Sequence, residues 1–577
     1  MKKVLLVALA VLMIASAGFA VKEFHGAWPY VIPGVAHYNM FVTNAINFGT
    51  PYNELMWLRP ALYLWAEGRY IPNLAESWKF EPENNPEYFI MTLKKGVKWS
   101  DGTEVTSKDV WSTYMVAYMM GWVVWNYIDD VEIVDKYTVK FHLTKPSLVA
   151  ERLILRNPIY ADEIFGEWAE KVAKMLKEGK TRTDMKDLIV QFKDFKPKKA
   201  LYDGPFMLDT NRFTEAEAYL IRNPYYYDKD KIKFDVIKLY RGELSQIVSL
   251  VLAGEVDYAT HAFTPAIEKQ FELMGVKIIR PPLGSGPALV FNMKVYPFNL
   301  KKFRQALAYA INRDENGYVS MAKSGVGVKY MAGMSDNMVK VWMKPDEIAQ
   351  LNKYEYNPKK AEQMLKELGF TKGSDGIWRD DKGNKLEFEL LVPAEWVDWV
   401  SAGENVASQL EKFGIKLTVR GVTWTQQPRQ IREGKFQLAI QLWGTGNPIP
   451  YYAFWNDFIR LNHEKYRGGI GSNEGIALDL ENYETECCGT VNVYDLIINS
   501  VVGVDKEKTR QAYVKLAKIF NETLPIIPLW ERYGNNPALE GVRVKKWPDV
   551  SDPIYKNNPY TDSFVTIMIL TGRLEGM

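Results

Sequence analysis

One segment near the middle of the chain changes its hydrophobic periodicity from that of a strand to that of a helix. Residues 288–291 form a short apolar run of the length of a buried strand, and Pro297 and Asn299 then break the pattern. After Leu300, apolar residues recur three and four positions apart, as on a helix that packs against a core: Phe303, Ala306, Leu307, Ala310 and Ile311. The segment therefore predicts a buried strand followed by an amphipathic helix.

Similar patterns predict further strands and helices on both sides of this segment. Thr106 with Asp109 three positions later indicates a helix start, and Asn357 and Gly369 bracket another helix. A shorter helix is predicted at 54–64, and a lysine-rich helical insertion at 164–199. Short apolar or alternating runs predict strands at 87–93, 234–239, 386–392, 415–419 and 436–443, with a helix at 404–413 completing a βαβ unit. This alternation is typical of the α/β class.

The first twenty residues have the pattern of a secretory signal peptide. Two lysines precede an apolar run at 4–14, and small residues follow up to Ala20. The run is too short to anchor the protein across a bilayer, and no cysteine follows it to accept a lipid. We therefore expect residues 1–20 to be removed and the mature protein, starting near Val21, to be periplasmic and not a lipoprotein.

Composition and charge narrow the possible functions. A chain of 577 residues is longer than one core usually serves, which predicts two or three domains. Hydrophobic residues make up 47% and charged residues 25%, as in globular proteins. The formal net charge is only +2, and no basic stripe is present. A nucleic-acid partner is therefore not expected.

The two cysteines are neighbours in the sequence, Cys487 and Cys488. One such pair and five histidines do not supply a four-ligand zinc site, and the spacing matches no known redox motif. A strained bridge between the two is possible in an oxidising compartment. We expect no metal and no cofactor.

The most specific segment of the chain is 96–110, GVKWSDGTEVTSKDV. It resembles the signature of the family 5 extracellular solute-binding proteins, the dipeptide- and oligopeptide-type receptors of ABC importers. Further similarities follow in the family's order along the chain: DGPF at 203–206, LIRNPY at 220–225, VLAGEVD at 251–257, the strand and helix of 288–318, and TLPIIPL at 523–529, which resembles a strand returning to the first lobe. The resemblance covers essentially the whole mature chain.

The resemblance implies a periplasmic-binding-protein-like α/β fold with two lobes, a hinge and three subdomains. We expect 21–60, 200–283 and 523–577 to form the core of the first lobe, 61–199 its accessory subdomain, and 284–522 the second lobe. It also implies a monomer that closes on a small-molecule ligand and delivers it to the transmembrane permease of an ABC importer. No G-x-x-x-x-G-K-[ST] motif occurs, so ATP hydrolysis by this chain is not expected.

The sequence of the loop after the predicted strand 436–443 helps to distinguish between the possible classes of ligand. The resemblance implies that residues 444–455 face the ligand, and peptide-binding relatives commonly carry an aspartate there for the ammonium group of the peptide. Here the first acid after Trp443 is Asp457, beyond the loop. Since a buried ammonium needs a charged partner and a sugar does not, we predict a short β-linked oligosaccharide, with an oligopeptide as the alternative.

Sugars are bound by aromatic planes against the faces of the rings and by amides or carboxylates that bind the hydroxyl groups. An aromatic content of 13%, with 18 tryptophans and 33 tyrosines, suits such a cleft. Each tryptophan named below either stacks on the ligand or packs in the core or on the surface. For Trp396 and Trp399 the alternatives are a position in the cleft and packing at the end of a strand. The predicted ligand-binding residues are Trp443, Trp455, Tyr452 and Asn447, followed by Trp28, Asn44, Asn47, Trp424 and Trp530.

A secreted glycoside hydrolase is the alternative from another functional class. Such an enzyme needs two carboxylates about 5–10 Å apart, and no motif in the sequence selects a pair. Asp101 and Asp109 are better explained as a turn residue and a helix cap. Nickel and haem are bound by distant relatives, but no histidine cluster is present. We therefore predict a binding protein without catalytic residues.

Overall fold

A computed structural model of the chain describes residues 21–28, 37–42, 45–83, 85–242, 244–467 and 472–577, with the backbone alone described for Trp28. The predicted signal peptide and Asn44 lie outside these residues. The described chain is a mixed α/β structure whose main sheets have seven, five and four strands. The predicted α/β class is therefore confirmed.

The strands are numbered in chain order. They are β1 Glu23–Trp28, β2 Ala61–Leu64, β3 Arg69–Pro72, β4 Ala75–Glu81, β5 Tyr88–Leu93, β6 Ile128–Ile133, β7 Thr138–Leu143, β8 Phe206–Phe213, β9 Glu217–Arg222, β10 Val236–Arg241, β11 Tyr258–Ala259, β12 Lys277–Ile279, β13 Ser285–Phe291, β14 Gly325–Gly327, β15 Thr371–Lys372, β16 Trp378–Arg379, β17 Glu387–Pro393, β18 Lys416–Val422, β19 Leu438–Gly444, β20 Tyr483–Thr485, β21 Gly489–Val491, β22 Ile526–Pro528, β23 Trp530–Arg532 and β24 Asn536–Ala538.

The helices lie between and after these strands. The α-helices span Thr50–Asn53, Ser107–Met120, Leu148–Arg156, Asp162–Lys177, Lys186–Asp194, Leu244–Leu252, Pro265–Leu273, Lys301–Ala310, Arg313–Met321, Asp336–Trp342, Pro345–Ala349, Pro358–Glu367, Val397–Phe413, Gln427–Arg432, Pro450–Phe454, Val493–Asn499, Lys506–Thr523 and Phe564–Leu570. A π-helical turn spans Trp455–Ile459. Short 3₁₀ segments span Val123–Asn126, Arg182–Met185, Lys229–Lys231, Ala322–Ser324, Glu464–Arg467 and Pro553–Lys556.

The seven-stranded sheet has the order β12-β24-β11-β1-β10-β9-β8. Strand β1 is central and runs parallel to β10 and β11, whereas the other neighbours are antiparallel. Strand β24, near the end of the chain, inserts between β12 and β11. The first and last parts of the chain therefore share one sheet.

The four-stranded sheet, β4-β5-β7-β6, is antiparallel and packs with the helix Ser107–Met120. The predicted start of this helix is confirmed, because Thr106 and Asp109 form a reciprocal capping box. Gly121 ends the helix with φ of 74°, a left-handed conformation that favours glycine. We call the parts built on the seven- and four-stranded sheets the first lobe.

The five-stranded sheet has the order β18-β17-β19-β13-β22 and forms the centre of what we call the second lobe. The predicted βαβ unit is present, since β17 and β18 are parallel neighbours joined by the helix Val397–Phe413. That helix begins seven residues before the predicted 404, because Trp399 and Ala402 extend its buried face toward the N-terminus. The strand and helix predicted from 288 onward are β13 and Lys301–Ala310.

The helix predicted at 54–64 is wrong. The described helix is Thr50–Asn53, and Ala61–Leu64 is a strand that pairs with β3. Proline has no N–H and restricts the residue before it to extended backbone, so Pro60 blocks a helix at this point. This hairpin becomes important for the site below.

Two segments connect the lobes side by side. The N–H of Leu283 donates to the carbonyl of Arg532 at 2.9 Å, and the N–H of Gly534 donates to the carbonyl of Pro281 at 2.8 Å. Strands β22 and β23 pair with β13 and β14 of the second lobe. From the sequence, the chain is expected to return to the first lobe at 523. Strands β22 and β23 still pair with the second lobe, and the chain leaves that lobe after Arg532.

Each lobe has an apolar core. The four-stranded sheet, its helix and part of the seven-stranded sheet share one cluster of buried side chains, and the five-stranded sheet has another. Among the described residues, no helix combines the length and the hydropathy needed to cross a bilayer.

We expect the second-lobe core to be sensitive to loss of volume in β13. Leu289 is completely buried in this strand, between β19 and β22. Leu289→Ala should lower the free energy of unfolding by about 2–5 kcal/mol, because it removes buried methyl groups and leaves a cavity. Leu273→Ala, at a side chain 79% exposed, should change it by less than about 0.5 kcal/mol. Urea unfolding followed by circular dichroism measures both, and equal losses would contradict the described packing.

Candidate functional site

Two neighbouring cavities lie between the lobes, with volumes of about 590 and 200 Å³. Both are lined by Tyr63 of the first lobe and by Val341, Trp342 and Pro448 of the second. Because they share these walls, we treat them as one site, the inter-lobe cleft. Two other cavities, of about 450 and 530 Å³, are lined by second-lobe residues alone, so closure of the lobes would not enclose them.

Aromatic side chains from both lobes line the inter-lobe cleft. The hairpin β2–β3 and strand β4 contribute Tyr63, Tyr70 and Trp78, whose rings contact one another edge to face with centroids 4.7 and 6.0 Å apart. On the opposite wall, the indole N–H of Trp342 donates to the carbonyl of Pro448 at 3.2 Å. These contacts fix the ring planes, so the cleft presents preformed aromatic surfaces.

The helix Leu148–Arg156 places two adjacent charged residues in the cleft wall. Glu151 accepts a hydrogen bond from the indole N–H of Trp78 at 3.1 Å, and burial raises the pKa of its carboxyl group. Arg152 donates from Nη2 to Asp562 at 2.5 Å. Among the described residues, the Nε and Nη1 atoms of Arg152 have no hydrogen-bond partner. The wall therefore combines a carboxyl acceptor with a buried guanidinium group, two of whose donor atoms are unpaired within the described part of the chain.

Asp562 holds this wall together from the end of the chain. Besides Arg152, it accepts from the indole N–H of Trp65 at 2.7 Å and from Nη1 of Arg59 at 3.3 Å. Arg59 also forms a buried ion pair with Glu54. The pKa of Glu54 is nevertheless raised to about 7, because burial outweighs the nearby arginines. Trp65 lines the smaller cavity, so these buried groups lie directly behind the site.

The predicted ligand loop 444–455 reaches the cleft and touches the first lobe. Pro448 and Ile449 line the larger cavity. The hydroxyl group of Thr561 donates to the carbonyl of Gly446 at 3.1 Å, across the two lobes. Burial raises the pKa of Tyr452, and the charges of the first-lobe arginines Arg156 and Arg152 oppose that rise.

A buried acid supports the base of the loop. Asp457 accepts a hydrogen bond from the N–H of Gly444 at 2.8 Å, and Asn456 donates to the carbonyl of the same glycine at 2.7 Å. Burial raises the pKa of Asp457 well above its ordinary value. The acid nearest to the loop in sequence is thus engaged with the backbone rather than lining the described cleft.

The sequence-predicted site residues are dispersed in the structure. Trp443 and Trp530 are completely buried, and the indole N–H of Trp443 donates to the carbonyl of Trp530 at 3.2 Å. Trp455 is partly buried against the second-lobe core. Trp424 stacks on Trp396 with ring centroids 3.8 Å apart. None of these side chains lines the described cavities.

The predicted amides have local partners. Asn447 accepts from the N–H of Ile449 at 3.1 Å and so shapes the loop. Asn47 is exposed and accepts from the N–H of Gly49 and from the amide of Asn53, both at 2.8 Å. Asn44 and the side chain of Trp28 lie outside the described residues.

The aromatic residues of the cleft were not selected from the sequence. The helix predicted at 54–64 covered the hairpin residues, although the short apolar run 61–65 after Pro60 also fits a buried strand. Trp342 lies at the end of a short helix with no distinctive motif. Metal binding has no support in the described residues, which hold no group of three or more histidine, cysteine or acidic side chains able to bind an ion.

Comparison with known proteins identifies the family. The model of the bacterial extracellular solute-binding proteins, family 5, matches residues 69–462, well over half of the 577-residue chain. The chain belongs to this family. A probable ABC transporter-binding protein from Deinococcus radiodurans is 29% identical over 398 residues, which are 62% of each chain.

Solved structures of family 5 proteins show the same fold. The periplasmic oligopeptide-binding protein of an ABC transporter from Thermotoga maritima matches with a TM-score of 0.73 and 21% identity, covering 96% of this chain and 99% of that one. A mannohexaose-bound structure of that protein matches with a TM-score of 0.63, 20% identity and the same coverage. The predicted two-lobe binding-protein fold is therefore confirmed, as is the predicted family.

Glu531 lies on β23, where the second lobe meets the connecting segments. Its carboxyl group is fully buried and accepts from the hydroxyl of Ser335 at 2.8 Å and from the N–H of Gly284 at 3.1 Å. Burial, and then the charge of Asp336, raise its pKa from 4.5 to about 7. Lys556, which lines the smaller cavity, is close enough for Glu531 to influence its charge.

This buried acid predicts a pH dependence of stability. A carboxyl group with a raised pKa binds its proton more tightly in the folded state, so stability falls as the pH rises from about 4.5 to 7. Glu531→Gln should reduce this fall by roughly 3 kcal/mol, from the size of the shift, and leave the part due to Glu54, whose pKa is also raised to about 7. Free energies of unfolding measured from pH 4 to 8 test this. The exposed variant Glu404→Gln should keep the wild-type slope, and an unchanged slope in Glu531→Gln would refute the assignment.

Proposed function

We propose that the protein is the periplasmic receptor of an ABC importer and that it captures a short β-linked oligosaccharide in the inter-lobe cleft. One observation carries the proposal: aromatic surfaces from both lobes, Tyr63, Tyr70, Trp78 and Trp342, surround a cavity whose wall also holds Glu151 and Arg152. Aromatic planes stack on the C–H faces of sugar rings. Carboxylate and guanidinium groups give the directional hydrogen bonds that hydroxyl groups need.

The ligand loop supports a neutral ligand. No acid occurs between Gly444 and Trp455, and Asp457, which accepts from the N–H of Gly444 through one oxygen, does not line the described cavities. The Thermotoga maritima protein with the same fold was observed with mannohexaose bound. The volume of the larger cavity, about 590 Å³, suits a ligand of a few sugar rings.

An oligopeptide is the second candidate, and one residue favours it. Glu151 is a buried acid without an ion pair among the described residues, and it lines the larger cavity. An ammonium group of a peptide could pair with it, and Arg152 could bind a carboxylate. The Thermotoga maritima protein itself is described as oligopeptide-binding.

Closure of the lobes is the proposed mechanism of capture. Residues 61–199 and the seven-stranded sheet would move together as one body, and the second lobe as another, about the paired segments near Leu283 and Arg532. Ligand binds the closed form from both sides and shifts the open–closed equilibrium by that difference in affinity. We propose that a monomer, exported by a signal peptide, then delivers the ligand to the permease.

Binding should raise thermal stability with sugars rather than peptides. A ligand at a hundred times its dissociation constant adds about 2.7 kcal/mol to the stability of the folded state. We expect cello-, manno- or laminari-oligosaccharides to raise the melting temperature and short peptides to leave it unchanged. A rise with peptides alone would overturn the sugar assignment and would point to Glu151; Glu151→Gln should then abolish that rise.

The aromatic wall should carry much of the affinity for the sugar found in that screen. Trp342→Ala and Tyr70→Ala should each weaken binding about tenfold or more, because each removes a stacking surface. Tyr318→Ala, at a second-lobe tyrosine that is 66% exposed outside the cleft, is the matched control and should bind like the wild type. Isothermal titration calorimetry measures all three. Wild-type affinity in both cleft variants would exclude this cavity as the site.

Binding without catalysis is the remaining part of the proposal. The protein incubated with its bound oligosaccharide should release no new reducing ends, since the receptor role requires the ligand to leave intact. A reducing-sugar assay over several hours, with a glycoside hydrolase as positive control, measures this. Turnover that is lost in Glu151→Gln would establish the hydrolase alternative instead.

A further inference from the structure

The adjacent thiols Cys487 and Cys488 lie at the tip of the hairpin β20–β21, and neither lines the described cavities. Their sulfur atoms are 2.8 Å apart, so both side chains already point to the same side of the turn. Cys487 is exposed and Cys488 is partly buried against the second-lobe core. The chain has two cysteines, so within one molecule each thiol can form a disulfide only with the other.

The backbone of the turn is held by side chains around it. The N–H groups of Glu486 and Cys487 donate to the two carboxylate oxygens of Glu522 at 2.8 and 2.9 Å. The N–H of Cys488 donates to the hydroxyl of Thr485 at 3.1 Å. Lys301 neutralises Glu522 at 2.8 Å. The backbone of the turn is therefore fixed without the sulfur atoms, although the thiol of Cys487 also contacts the carboxylate of Glu522 and the thiol of Cys488.

We propose that Cys487 and Cys488 are a modification site, at which a disulfide forms between the two neighbouring residues when the protein meets an organic disulfide. The family is one of extracellular proteins, and exposed thiols in such compartments are subject to oxidation. The inference does not depend on which ligand the cleft binds.

The reaction is a two-step thiol–disulfide exchange. One thiolate attacks the organic disulfide, forming a mixed disulfide and releasing one thiol. The neighbouring thiolate then attacks the mixed disulfide, which closes the ring and releases the second thiol. The protein loses two protons and two electrons, and the organic disulfide takes them up to become two thiols.

The environment of the pair indicates a structural or regulatory bridge rather than an oxidoreductase centre. Catalytic dithiols have a lowered pKa, whereas burial, the thiol of Cys488 and the carboxylate of Glu522 raise the pKa of Cys487 to about 12. Exchange should therefore be slow at neutral pH and faster in mildly alkaline solution. Neighbouring Cα atoms are about 3.8 Å apart, closer than in ordinary disulfides, so the bridge should be strained and easily reduced.

The bridge should change the hairpin and leave global stability almost unaffected. Cross-linking stabilises a protein mainly by closing a long loop in the unfolded chain, and adjacent residues enclose no such loop. The local effect is different, because the ring fixes the side chains and the peptide between the two cysteines. Slower amide exchange at 484–490 in the oxidised protein is the expected local signature.

Mass spectrometry of the whole mature chain tests the proposal. The folded protein is incubated with oxidised glutathione at mildly alkaline pH, quenched with acid, unfolded and treated with iodoacetamide. The expected product is lighter by two hydrogens and carries no alkyl group; after reduction it carries two. Cys487→Ser and Cys488→Ser should instead each carry one glutathione or one alkyl group. Two alkyl groups on the oxidised wild type, a stable glutathione adduct, or a disulfide-linked dimer would each overturn the proposal.

Discussion

The buried carboxylate of Asp562 is the interaction on which the first-lobe wall of the cleft depends. It binds Arg152 of the helix Leu148–Arg156 and Trp65 beside the hairpin β2–β3, and so joins elements about 400 and 500 residues away along the chain. Without it, two nearly buried arginines, Arg59 and Arg152, would lose a counter-charge, and removing one partner of a buried pair is strongly destabilising. The wall exists only when the end of the chain has returned to the first lobe.

That dependence explains which parts could be predicted from the sequence. The capping box at Thr106, the strand β13 and the parallel pair β17–β18 follow from local patterns, because the residues that determine them are near one another in the sequence. The cleft depends on pairs such as Arg152 with Asp562, which no periodicity encodes. One wrong local prediction had a further consequence. Because a helix was predicted at 54–64, the hairpin that contains Tyr63 and forms part of the first-lobe wall of the cleft was not predicted.

The predicted loop and the predicted tryptophans had different outcomes for a physical reason. The loop 444–455 reaches the cleft because β19, the central strand of the five-stranded sheet, ends there. Asp457 and Asn456 hold Gly444 by both of its backbone polar groups. Trp443 precedes Gly444 on the strand, where successive side chains point to opposite faces of the sheet. Its side chain points into the core and is completely buried. The direction of each side chain on the strand therefore decides whether an aromatic residue near the loop packs in the core or faces the cleft. Amino-acid composition does not contain this information.

The charges of the wall bear on the choice between sugar and peptide. Arg59, Arg152 and Arg156 converge near Glu54 and Asp562, and with the pKa of Glu54 raised to about 7 the acids only partly offset the arginines at neutral pH. An ammonium group entering the cleft would approach this excess of positive charge at low local dielectric, where repulsion is strong. Glu151 is the acid on the same helix able to compensate, and burial raises its pKa too, so that its charged form is also disfavoured there. A neutral ligand avoids both costs while it still uses the guanidinium and carboxyl groups as hydrogen-bond partners, and this is the physical ground on which we propose an oligosaccharide.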